Sequence, residues 1–179
     1  MFNVVMNSIL ENKADWQAHF ASGWLAHFQQ TGDLDWKQYQ RPKNNETVQG
    51  KGIDLSHSRL LLISTAGGYL KKTQAAFDAP NPLGDYSLRV FPVSSSFDDI
   101  AYAHEHYDHA AVDADPQVLL PLNHLDYLVA ENKIGELCED VLSFSGYQPD
   151  CGRLIDELIP EIVQQAHRQK AQGALLVPA

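Results

Sequence analysis

The chain has 179 residues, 44% of them hydrophobic, and a formal net charge of −10. That length and apolar content predict one domain with its own core, not a disordered segment. The acidic balance argues against nucleic acid and against an anionic membrane surface as partners.

No apolar run approaches the roughly 20 residues that span a bilayer. The N-terminus, Met1-Phe2-Asn3-Val4-Val5-Met6, lacks a basic region followed by a long apolar core. The expected location is cytoplasmic. Cys138 and Cys151 are the only cysteines. Their spacing matches no zinc or dithiol motif, so two free thiols are expected.

Between Asp15 and Gln30, Trp16, Phe20, Trp24 and Phe28 recur every four residues. The spacing predicts a helix with one aromatic face and Asp15 as its N-cap. Such a face reads first as core, with a dimer or docking surface as the alternative. From Thr31 to Ser58 the breakers Gly32, Pro42, Asn44-Asn45, Gly50 and Gly52 predict a long loop. Trp36 and Tyr39 are its expected anchors. Residues 1–58 thus read as a helical and loop extension of a single α/β domain, 1–179.

Leu60-Leu61-Leu62-Ile63 is a continuous apolar run ending in Ser64-Thr65-Ala66-Gly67-Gly68. It suits a central parallel strand buried on both faces. The turn after such a strand is where open α/β sheets hold ligands. Amides at Gly67 and Gly68 can approach a carboxylate, although a tight turn alone also calls for glycine. Tyr86–Pro92 predicts a second strand, with Arg89 needing a partner, either Asp85 or an anionic substrate. Ser94–Asp99 reads as the cap of a short helix, Ile100–Ala103.

The densest chemistry follows. His104-Glu105-His106-Tyr107-Asp108-His109 places three imidazoles and two carboxylates within six positions. Imidazole titrates near neutral pH and is a common metal ligand. The stretch reads as a polar loop whose histidines either cap backbone groups and each other or serve in catalysis. The alternative is a zinc or iron site on His104, His106 and His109, with oxygen from Asp108, Asp113 or Asp115.

Pro116–Pro121 predicts a brief strand, then a helix through Leu122, Leu125, Leu128 and Val129 capped by Asn123. Val141–Tyr147 predicts another strand. The last helix is expected over Gly152–Lys170, bent or delayed by Pro160 and terminated by Gly173. Ala174-Leu175-Leu176-Val177 is the final parallel strand. The alternation predicts an α/β fold with a layered, mostly parallel sheet and flanking helices, Rossmann-like or flavodoxin-like. The turns at Ser64–Gly68, Ser143–Gly146 and Val177–Ala179 should gather at one edge, with the histidine stretch over them.

A family resemblance rests on an ordered series: Ile63–Tyr69, Phe77-Asp78, Gly84–Pro92, His104–His109, Pro121–Leu128, Ile134–Leu137 and Ser143–Tyr147. From Leu60 onward this series resembles the glycine/sarcosine/betaine reductase selenoprotein B family, which includes the D-proline reductase subunit. The resemblance implies an oxidoreductase that reductively cleaves a carbon–heteroatom bond in an amino acid or related small molecule. It implies a selenol or thiolate nucleophile on a Cys-x-x-Cys-like turn after the strand matching Ala174–Pro178. The sequence stops at Ala179. Three readings of that stop remain open: a frame cut at a selenocysteine codon, a short form using histidines, and a non-catalytic partner of a reductase.

The resulting expectation assigns His104, His106, His109 and Asp108 to catalysis, an imidazole being the general acid. Thr65, Gly67, Gly68 and Arg89 are assigned to an anionic substrate. No cofactor is specified by this chain. The expected partners are a small-molecule substrate and either a second copy or a partner reductase subunit.

Overall fold

The computed structural model describes residues 10–44, 52–105 and 107–179. Helix α1, Lys13–Phe20, continues through a π-helical turn, Ala21–Leu25, into α2, Ala26–Thr31. The helix starts before Asp15: Asn12 is its N-cap, and Asp15 lies in the first turn. A carboxylate there still favours the positive end of the helix dipole. Gly32 closes the helix at φ 72°, a left-handed backbone that glycine adopts without a Cβ penalty.

The aromatic stripe lies inside the molecule. Trp16, Phe20 and Trp24 are buried with Leu10 and Ile155, and Leu34, Cys151 and Ile159 pack around them. Their rings stack at 5.1 and 5.4 Å. The following loop folds back over the stack. Tyr39 meets Trp16, Phe20 and Trp24 edge-on and donates its hydroxyl hydrogen to the Pro149 carbonyl at 2.9 Å. The face once open to a dimer reading is therefore core.

The remaining elements are β1 (Arg59–Ser64), β2 (Gly68–Leu70), β3 (Arg89–Pro92), β4 (Ile100–Tyr102), α3 (Ala110–Ala114), α4 (Leu122–Ala130), β5 (Glu136–Leu137), β6 (Asp140–Ser143), α5 (Cys151–Arg153), α6 (Ile159–Arg168) and β7 (Gly173–Val177). β1 is central. It runs parallel to β7 on one side and to β5 and β6 on the other. β3 closes the far edge antiparallel to β6, and β2 with β4 makes a separate antiparallel ribbon. The result is an α/β arrangement with a mixed, mostly parallel sheet.

Alternation along β1 builds two cores. Leu60 and Leu62 pack with Phe91, Ile100, Leu120 and Leu125. Leu61 and Ile63 pack with Cys138 and Leu142, under Ile162 and Ala166 of α6. A strand covered on both faces has no solvent-facing position, which is why the run is apolar throughout.

Several local expectations change. Residues 100–103 are not helical. A 3₁₀ turn, Phe97–Asp99, uses the Ser96 hydroxyl as acceptor for the Asp98 amide, and the chain then enters β4. Pro116–Pro121 is not a strand: a 3₁₀ turn, Pro116–Val118, is capped by Asp115, and proline cannot donate to a ladder. α4 begins directly behind Pro121 with no side-chain cap, so Asn123 lies inside it. The strand expected over Tyr86–Pro92 starts only at Arg89. α5 runs through a π-helical turn, Leu154–Leu158, into α6, and Pro160 sits in the first turn of α6. A missing N–H costs little there. Gly173 does not end that helix. Lys170 takes the left-handed conformation at φ 55°, and Gly173 opens β7. Among the described residues no helix is long and apolar enough to cross a membrane.

Candidate functional site

Three strand ends meet where β1 leaves the sheet. The Thr65 amide donates to the Val177 carbonyl at 3.1 Å, the Phe144 amide to Ser64 at 3.1 Å, and the Gly67 amide to Phe144 at 3.0 Å. Ala66 bridges to Ser145. The Thr65 hydroxyl accepts from the Ala179 amide at 2.8 Å. The turns at Ser64–Gly68, Ser143–Gly146 and Val177–Ala179 thus gather at one edge.

The β2–β4 ribbon carries the histidine stretch onto this edge. The Ala103 amide donates to the Gly67 carbonyl at 3.0 Å. His104 is buried at 7% exposure. The Tyr107 ring lies 4.5 Å from the His104 ring and 4.6 Å from the His109 ring. Its hydroxyl donates to the Ala66 carbonyl at 3.1 Å. Burial, with the Asp113 carboxylate adding to it, pushes the Tyr107 phenol up to about 12, so it remains a donor at neutral pH.

His109 Nε2 contacts the His104 carbonyl at 2.6 Å. A carbonyl only accepts, so Nε2 carries the hydrogen. Nδ1 is then the nitrogen left for proton exchange. The same contact occupies one nitrogen of the proposed metal set. Among the described residues Asp108 meets no imidazole: its Oδ1 accepts from the Ala110 amide at 2.9 Å, at the start of α3. His106 lies outside the described residues. Among those described, no group of three His, Cys, Asp or Glu side chains is placed to hold a metal.

The expected substrate anchors divide. Thr65, Gly67 and Gly68 lie under the histidine loop. The Gly67 amide, however, is taken by Phe144 and does not point at a ligand. Arg89 serves its own loop. Its guanidinium donates to the Ala75, Ala76 and Leu88 carbonyls and the Ser87 hydroxyl. It also stacks 4.3 Å over the Phe77 ring.

Asp85 anchors the same loop. It accepts from the Asp78 amide at 2.9 Å, the Ser87 amide at 2.8 Å and the Ser87 hydroxyl. Burial raises its pKa, but these hydrogen bonds and the nearby Arg89 outweigh burial and hold it below the ordinary value. A folded-state pKa below the unfolded one adds stability above the unfolded value, lost as pH falls through the folded value. Asp85→Asn should therefore lower the urea midpoint at pH 7 and flatten its fall between about pH 5 and 2. An unchanged midpoint-versus-pH curve would contradict this.

The sequence pattern did not single out Tyr107, the post between two imidazoles. The signal was a tyrosine between histidines three residues before it and two after. Ser143 Oγ, fully buried, and the Tyr102 hydroxyl have no hydrogen-bond partner among the described residues. A cleft of about 370 Å³ is lined by Lys71, Asp98, Tyr102, His109 and Asp113 among others. Lys71 reaches across to donate to the Asp98 carbonyl at 3.0 Å.

The thiols lie elsewhere. The Cys138 amide bonds to Leu60 at the opposite end of β1, and Cys151 packs against the aromatic cluster. Burial pushes both thiols up, which suppresses the reactive thiolate.

The chain is 28% identical over 123 residues to the gamma subunit of D-proline reductase from Acetoanaerobium sticklandii. The match covers 69% of this chain and 49% of that protein. The chain therefore spans about half the length of the curated relative it matches. The likeness is to a reductase subunit. No family model matches, and no solved structure matches.

Proposed function

We propose that this chain is a reductase-related subunit that binds a small amino-acid-like anion at the carboxyl edge of its parallel strands. The similarity to the D-proline reductase gamma subunit carries the reading. The geometry supports it, because ligands of Rossmann-like and flavodoxin-like sheets sit beyond the carboxyl ends of the strands. In the cleft beside His109, Lys71 answers a carboxylate, and Asp98 and Asp113 answer an ammonium. His109, through Nδ1, supplies a proton to the leaving nitrogen, and His106 is the second candidate for that role.

Reductive cleavage of a carbon–nitrogen bond takes up two electrons and two protons, leaving one hydrogen on carbon and one on nitrogen. The electrons come from a dithiol or selenol–thiol pair, which Cys138 and Cys151, lying in separate clusters, do not form. That observation also favours a second reading, a substrate-binding subunit whose chemistry is completed by a partner.

Titration calorimetry with D-proline, glycine and betaine tests the site. One of them should bind, and Lys71→Ala should weaken it at least about tenfold, the loss of one charge-assisted contact. No heat from any of the three at millimolar concentration would overturn the substrate reading. With dithiothreitol as electron donor, His109→Ala or His106→Ala should lower turnover on the order of 10²- to 10⁴-fold. Unchanged turnover in both removes the general-acid role. Binding without turnover in the unmodified chain selects the second reading.

A further inference from the structure

The backbone of His109 is fixed by α3. His109 is the N-cap of that helix, and its carbonyl accepts from the Asp113 amide at 2.9 Å. Its side chain keeps two rotatable bonds. Half a turn about the outer one exchanges Nδ1 with Cδ2 and Nε2 with Cε1, two orientations of nearly the same shape. Which of them the protein holds decides whether a nitrogen or a carbon stands where a proton is to be passed.

The contact between His109 Nε2 and the His104 carbonyl separates the two. At 2.6 Å it suits a nitrogen that donates. A ring carbon stands about 3.3–3.6 Å from a carbonyl oxygen, so the turned ring would clash as long as the loop keeps its shape. The shape depends on Tyr107, because both residues that make this bond pack on it. The His109 ring stacks on Tyr107 at 4.6 Å and 18°, and the His104 ring lies against it at 4.5 Å and 35°.

Tyr107 is in turn tied to the sheet. Its hydroxyl donates to the Ala66 carbonyl at 3.1 Å. Ala66 is fully buried just beyond β1 and bridges to Ser145. Neighbouring carboxylates do not share the task. Asp108 accepts from the Ala110 amide. Asp113 lines the cleft with His109, yet among the described residues it bonds to His109 only through its backbone amide.

We propose that Tyr107 is a positioning residue for His109. It carries the order of the sheet edge into the loop, keeps Nε2–H on the His104 carbonyl, and so commits Nδ1 to proton transfer. This rests on the reading of His109 as the proton donor to the leaving nitrogen. Tyr107 itself gives and takes no proton in that step.

Two measurements on the full chain test it. In nitrogen-edited proton NMR the His109 Nε2 proton, identified by its loss in His109→Ala, should exchange slowly with water. Tyr107→Leu should speed that exchange at least about tenfold, the worth of one hydrogen bond. Tyr107→Phe keeps the stacked ring and loses only the tie to Ala66, so it should lie between. Should the leucine variant unfold, the phenylalanine variant carries the comparison. In turnover, Tyr107→Leu should lower kcat about 10- to 100-fold and leave KM within about twofold. Added to His109→Ala it should lower kcat no further, because it acts through that imidazole. An Nε2 proton that exchanges as slowly without the tyrosine ring overturns the proposal. So does a kcat that Tyr107→Leu lowers equally with and without His109. No turnover in the unmodified chain removes the proton-donor reading instead, and the exchange rate alone then decides whether Tyr107 places the imidazole.

Discussion

Gly67→Ala should detach the histidine loop from the sheet edge and cost about 3 kcal/mol or more of stability. Gly67 holds φ 67°, and a Cβ there would stand 2.4 Å from the Ala103 carbonyl oxygen and 3.1 Å from its carbon. Neither side can give way easily. The Ala103 amide bonds to Gly67, and the Gly67 amide bonds to Phe144. The left-handed backbone alone costs an alanine roughly 1–2 kcal/mol, and the backbone clash adds to it. Loss of these bonds would free the Tyr107 hydroxyl from Ala66 and part the two imidazoles. Gly68→Ala is the control, because a Cβ there meets the Ser143 hydroxyl at 3.4 Å, an ordinary contact. Urea unfolding and limited proteolysis across 103–109 measure both effects. Equal stability and cleavage for the two variants would refute the argument.

Trp24→Ala should be the most damaging change outside the sheet, at about 3–5 kcal/mol. Trp24 is 1% exposed. Its ring lies 5.4 Å from Phe20, 5.2 Å from Trp36 and 5.8 Å from Tyr39. Removing it opens a cavity where the N-terminal helix, the returning loop and the helix around Ile155 meet. For a chain of this length the loss corresponds to a melting temperature lower by roughly 10 °C. Trp24→Phe should cost far less, since it keeps a ring and removes an indole N–H that has no partner among the described residues. Calorimetry on both variants decides the matter. A loss below about 1 kcal/mol for the alanine variant would mean that the site collapses around the gap.

Strong local patterns carried the fold-level reading. The apolar run of β1 could only be satisfied by cover on both faces, so it announced a central parallel strand. The four-residue aromatic spacing announced a helix face, although not whether that face met the chain's own loop or another molecule. Tyr39 and Ile155 settled that by packing onto it. Short segments were less legible. Ile100–Tyr102 had the Ser-rich entry of a helix, and the cap formed, but pairing with β2 turned the next residues into a strand. Pairing across some thirty residues is a long-range gain that no local window contains.

By itself, the sequence determined the α/β class, the placing of β1, β6 and β7, and the turns that meet at their carboxyl ends, because hydrophobic period and glycine placement act locally. Only the tertiary structure decided which polar groups remain for a ligand. Arg89, Asp108 and the Gly67 amide all carry suitable chemistry, yet each is occupied by a neighbour. His109 keeps Nδ1 because a carbonyl five residues back holds Nε2. A hydrogen-bonding group is defined by what already satisfies it, and that follows from the folded neighbourhood rather than from residue type.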